Sequence, residues 1–133
     1  MRADDGSATV EYIGVAIALI VPIAYFVVTF AQIQSAHFGV VGAAQQAARA
    51  YVNASSDFLG RYAAPRAAAI AGRNHGLLIG SDNVTITCAV ANCLTPGTRV
   101  AVDVTTSVRL ALGQLPLHAR SVMTVDAYRA DPA

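Results

Sequence analysis

From Tyr12 to Ala31 the chain runs for 20 residues without a charged side chain, and most of those residues are apolar. Built as a helix at about 1.5 Å per residue, that run is roughly 30 Å long, the thickness of a bilayer's hydrocarbon core. One segment of the chain is therefore expected in lipid, and the rest must fold around whatever follows it. Pro22 interrupts the run. In water it would break a helix, but in a membrane or a helix assembly neighbours re-satisfy the freed carbonyl, so a kink is expected and not an end. An ordinary secretory signal peptide fits poorly. Its apolar region is shorter, and the small-x-small pairs Val41/Ala43 and Gly42/Ala44 begin 10 residues beyond Ala31.

The residues in front of the run sharpen this picture. Gly6-Ser7-Ala8-Thr9-Val10-Glu11-Tyr12 sets a glycine five residues before Glu11, the chain's only glutamate, at the mouth of the apolar segment. This resembles the processing motif of type IV pilins, in which a peptidase cuts after Gly and leaves Glu at the fifth mature position. With the Ala-rich continuation and the short C-terminal strands, the chain is similar to the TadE-like minor pilins and pseudopilins of tight-adherence (Flp) pili. Met1–Gly6 departs from the pattern, since Arg2 stands against Asp4 and Asp5 where such leaders are more basic.

The resemblance implies a leader over 1–6 and a cut between Gly6 and Ser7. It also implies a long helix over 7–52, membrane-spanning over about 12–31, and a small extracytoplasmic domain over 53–133. Glu11 would pair with the freed amine of Ser7 on a neighbouring subunit, with Tyr12 beside it. The implied partners are a prepilin peptidase, other pilin or pseudopilin subunits, a pilus assembly platform and membrane lipid. The implied place is the cytoplasmic membrane, crossed once, with the C-terminal domain outside and possible incorporation in a surface pilus. Arg2 and Arg49 leave the positive-inside count tied, so orientation rests on the resemblance. Two alternatives stay open: an uncleaved single-pass protein with an outer binding domain, and a pseudopilin of a secretion or DNA-uptake system.

Beyond Ala31 the helix is expected to continue to about Val52 with more polar residues. Ala31, Ser35, Gly39, Ala43 and Ala47 recur every four positions, leaving one helix face nearly bare for close backbone approach. That face serves either a filament core or the chain's own sheet. Gly39 and Gly42 are poor helix formers and need a reason to be there. Asn53–Asp57 reads as a break with a good N-cap. A second helix, about Asp57 to Ala71, follows; Pro65 divides it into two pieces, and Gly72, Asn74 and Gly76 stop it.

From Asn83 the period changes to two. Val84, Ile86, Cys88 and Val90 alternate with polar residues, and Val100 to Leu110 alternate more cleanly still. Leu94-Thr95-Pro96-Gly97 is turn chemistry. A loop through Gly113 and Pro116 is expected to lead to a third strand over about Arg120–Tyr128. The fold class is α+β: a long N-terminal helix packed on a three-stranded antiparallel meander, one face covered and one wet.

Cys88 and Cys93 either close a small disulfide loop or remain two thiols. A zinc site would need two more ligands, and His37, His75 and His118 are scattered. Beyond a membrane the disulfide is the expected state. A net charge of +1 makes no electrostatic case for nucleic acid. There is no nucleophile–base motif, phosphate loop or paired carboxylate, so no catalytic residue and no cofactor are expected. The expected role is mechanical.

Overall fold

The computed structural model describes residues 5–130; Met1 to Asp4, most of the expected leader, lie outside the described residues. In chain order the elements are helix α1 (Asp5–Val52), helix α2 (Asp57–Arg73), a short 3-10 turn (Ser81–Asn83), and strands β1 (Val84–Cys88), β2 (Arg99–Leu110) and β3 (Gly113–Thr124). The strands form one antiparallel sheet in the order β1-β2-β3. The α+β class and the meander are as the sequence predicts.

The chain divides into two compact units at Ile33–Gln34. The first is the N-terminal part of α1. Its apolar window is long enough to cross a membrane, and none of that window is buried. A core helix of a water-soluble domain would bury most of such a surface. Pro22 lies inside α1, which is continuous through it.

The second unit begins with the rest of α1. Ala36, Val40, Ala43, Ala44, Ala47, Ala48 and Tyr51 are buried and form one cluster with α2 and the inner sheet face. The spacing is helical and the residues are small, so other backbone can lie close. The sheet contributes Val100, Val102 and Val104 from β2 and Ala119 from β3. The register sets Val84 opposite Val104 and Val104 opposite Ala119, a row of apolar side chains on one face. Asp103, between two of the valines, points to the other face and pairs in register with Arg120.

Four sequence expectations need correction. Pro65 does not split α2, which runs unbroken over 17 residues. Gly60, Ala64, Ala68 and Gly72 are buried along its whole length, so tertiary packing holds both halves together and outweighs the one backbone hydrogen bond the proline removes. Gly72 therefore lies inside the helix, and the stop comes at Asn74 and at Gly76, whose φ of 70° turns the chain. The start is the expected cap: the Ser56 hydroxyl accepts the Leu59 N–H at 3.3 Å.

The third strand begins at Gly113, not near Arg120, and ends at Thr124. Gly113 pairs with Leu110 and has a φ of 146°, so it closes a tight hairpin where a loop was expected. Pro116 is accommodated because β3 is an edge strand, where a missing N–H need not break a ladder. The chain leaves the sheet at Val125 because Arg129 turns back to α1. Its guanidinium donates to the Val52 carbonyl at 2.8 Å and to the Ala54 carbonyl, satisfying acceptors that the helix end leaves open. Val90, expected at the end of the first strand, lies beyond β1.

Candidate functional site

The Gly6–Tyr12 segment falls on the opening turns of α1. Gly6 and Ser7 stand in its first turn, because the helix begins at Asp5. Ser7 and Glu11 are four positions apart, so Glu11 stands one turn along the same face, about 6 Å further down the axis. Glu11 and Tyr12 are exposed, Tyr12 to 76%. Val10, Ile13, Val15 and Ile17 around them are exposed as well. An acid thus heads a helix whose other side chains suit lipid or the apolar surface of another helix. The first turn also carries the positive end of the helix dipole, which favours a carboxylate nearby.

The small-residue stripe divides. Ala31 is exposed, and so is Ser35, whose hydroxyl lies 3.3 Å from His75 Nδ1. Gly39, Ala43 and Ala47 are buried within the second unit. Gly39 has a specific reason to be glycine: a Cβ there would lie 2.6 Å from His75 Cβ and 2.9 Å from Leu77 Cδ1. Gly42 has no atom within 4 Å of such a Cβ, and nothing in the structure explains it.

A second stripe escaped the sequence reading. Gly60, Ala64, Ala68 and Gly72 repeat every four positions on α2 and are its buried residues. A Cβ on Gly60 would meet the Tyr51 ring at 2.8 Å, and one on Gly72 would meet Ile79 Cδ1 at 2.6 Å. The signal was present at the same period used for α1, but the proline between Ala64 and Arg66 drew the reading toward two short helices.

Two polar clusters hold the second unit together. Tyr51, fully buried, donates its hydroxyl hydrogen bond to Asp57, and Arg61 Nε donates to the other Asp57 oxygen at 2.8 Å. The Tyr51 hydrogen bond, and then Arg61, hold the Asp57 carboxyl below the usual range; burial pushes the Tyr51 phenol up. On the outer sheet face Arg120 grips Asp103 with two bonds of 2.8 and 2.9 Å, and His118 Nε2 lies 3.0 Å from the same carboxylate. Hydrogen bonding from Arg120 depresses the Asp103 carboxyl, and His118 adds to it. The Asp103 side chain is only 15% exposed, and it stitches β2 to β3.

Cys88 and Cys93 are joined as a disulfide with Cα atoms 5.5 Å apart. It ties the end of β1 to a buried loop residue beside Leu94. Among the described residues, no three His, Cys, Asp or Glu side chains are grouped to hold a metal.

No family model, characterised protein or solved structure matches this chain.

Proposed function

We propose that this chain is a structural subunit of a membrane-stored filament, a TadE-like minor pilin or pseudopilin cut by a prepilin peptidase between Gly6 and Ser7. The observation that carries the reading is the Gly6-to-Glu11 spacing at the head of one continuous helix whose apolar window is nowhere buried. A surface of that kind needs either lipid or other helices around it. Storage in the membrane supplies the first and assembly supplies the second.

The division of labour follows from magnitudes. Each Val, Ile or Phe moved out of water gains about 1.5–3 kcal/mol, while an exposed ion pair gains at most about 1 kcal/mol. Outside the bilayer, apolar burial between subunits provides the affinity. Glu11, paired with a neighbour's Ser7 amine, selects one register among the many that an apolar helix would accept. The disulfide-closed domain accords with an oxidising compartment beyond the membrane.

An uncut single-pass anchor is the competing reading, favoured by the near-neutral Met1–Gly6 segment. Substitution separates the two. Gly6→Leu is expected to block maturation and Glu11→Ala to permit membrane insertion while reducing piliation. The checks are the size of the membrane-extracted chain and the count of surface filaments. Normal maturation of Gly6→Leu would contradict the cleavage, and full piliation by Glu11→Ala would contradict the pairing.

A further inference from the structure

A strand at the margin of a sheet leaves the backbone N–H and C=O of every second residue unpaired, and the hairpin fixes which residues these are in β3. Leu110 and Gly113 are partners across a two-residue turn, so theirs is a hydrogen-bonded pair, and the pairs alternate from there. The odd-numbered residues from Gly113 to Met123 therefore bond β2. The even-numbered residues from Gln114 to Thr124 turn their backbone groups away from it. The Val125 N–H, which donates to the Thr98 carbonyl at 2.9 Å, keeps the same alternation beyond the strand end. Among the described residues, no group of the chain bonds the outward backbone of His118, Arg120, Val122 or Thr124.

Natural sheets protect such edges by shortness, proline, bulges or charge. β1, the opposite edge, is short and ends in the disulfide at Cys88. The first part of β3 carries Pro116, whose missing N–H falls on the outward side, so it blunts the edge without costing a ladder bond. From His118 to Thr124 there is no further proline. Arg120 does not guard this stretch either. Its guanidinium is held back across the sheet on Asp103 of β2, with bonds of 2.8 and 2.9 Å. On the same outer face Val122 is 55% exposed. The second part of β3 is thus a bare edge in a sheet that is otherwise protected.

We propose that the 118–124 edge of β3 pairs antiparallel with the same edge of a second copy of this chain, continuing the sheet across a two-fold axis at Ser121. The edge is complementary to itself in that register. Arg120 stands opposite Val122 of the second copy, and His118 opposite its Thr124. No like charges face each other, and the arginine stem covers the exposed valine. Both are hydrogen-bonded pairs, whereas Ser121 meets its own counterpart in a non-hydrogen-bonded pair, where Cα atoms lie about 4.5 Å apart. Moving the axis to Arg120 would set two arginines opposite each other. Moving it to Val122 would leave His118 with no strand residue to pair. A two-fold pairing joins the two bare edges to each other and stops at two copies. One strand pairing is a small contact against the roughly 1,200 Å² that stable complexes bury, so the pair is expected to be reversible. The inference concerns the domain alone and stands apart from cleavage and filament assembly.

The chain's two cysteines are joined to each other, so an introduced cysteine is the one free thiol. The full-length chain carrying Ser121→Cys, solubilised in detergent and oxidised gently, is expected to run as a covalent dimer on non-reducing electrophoresis. Thr105→Cys is the comparison. Thr105 is exposed on the outer face of β2 and lies far from its own counterpart in the proposed register. It therefore measures the cross-linking that arises when two helices merely share a micelle. Val122→Pro removes an outward N–H and no ladder bond, as Pro116 does, and in the Ser121→Cys chain it is expected to abolish the dimer while the circular dichroism spectrum is kept. If Ser121→Cys yields no more dimer than Thr105→Cys, the edge is not paired and the proposal falls. If the dimer survives Val122→Pro, the contact is not a strand pairing, which also overturns it. Should Val122→Pro fail to fold, the comparison of Ser121→Cys with Thr105→Cys decides alone. Neither failure touches the reading of Gly6 and Glu11.

Discussion

Gly39 and Gly42 lie one turn apart on the same helix and differ in what a methyl group would meet. At Gly39 a Cβ collides with His75 and Leu77, whereas at Gly42 it meets open space. Replacing glycine by alanine in a helix gains about 0.5–1 kcal/mol when nothing is in the way. Overpacking costs about 1–3 kcal/mol. Gly42→Ala is therefore expected to stabilise the domain by up to about 1 kcal/mol, and Gly39→Ala to destabilise it by about 1 kcal/mol net. Denaturant unfolding of the detergent-solubilised protein reads both; equal shifts of the same sign would refute the close approach. The Asp103 carboxyl gives a pH signature. Arg120 and His118 depress its native value, so its contribution is present above the unfolded value near about 4 and is lost as pH falls through the native one. Asp103→Asn is expected to flatten the fall in melting temperature below about pH 4 but not abolish it, because Asp57 is depressed as well. An unchanged acid limb would show that Asp103 contributes nothing. Neither cluster was legible beforehand. Strand alternation put Asp103 on the wet face but could not say which residue of β3 stood opposite.

At the scale of elements, what could be read depended on whether local signals agreed. β2 was read to within one residue of its observed bounds because the alternation from Val100 to Leu110 is uninterrupted and turn residues flank it. α1 was readable because its apolar run and its Ala-rich continuation share a helical habit. β3 was misplaced because Gly113 and Pro116 have the chemistry of a loop, and only the pairing with β2 turns them into a hairpin corner and an edge strand. α2 was divided on paper by Pro65, whose local cost the buried Gly60–Gly72 stripe overrides. The disulfide acts at this scale too, closing a five-residue separation between β1 and the loop that leads to β2. In the chain-entropy model so short a loop is worth about 2 kcal/mol. The double replacement Cys88→Ser/Cys93→Ser is expected to lower unfolding free energy by about that amount with helix content unchanged. No loss of stability would mean that Leu94 and the Gly97–Val125 hydrogen bond already hold the loop.

For the whole molecule, the division at Ile33–Gln34 separates a helix with no protein cover from a domain with its own core. The second half of α1 belongs to that core, so one helix joins a segment long and apolar enough to cross a membrane to a packed domain. The sequence carried this division as a change in composition, from an uncharged run to a stripe of small residues. It carried the proposed assembly chemistry as six residues, Gly6 to Glu11, whose meaning depends on a cut that no fold displays. The most direct test is the intact mass of the protein extracted from its own membranes, read with and without reductant. The account predicts a chain beginning at Ser7, with a mass two hydrogens higher after reduction. A chain still beginning at Met1 or Arg2 would contradict the filament-subunit reading and leave an anchored domain in its place.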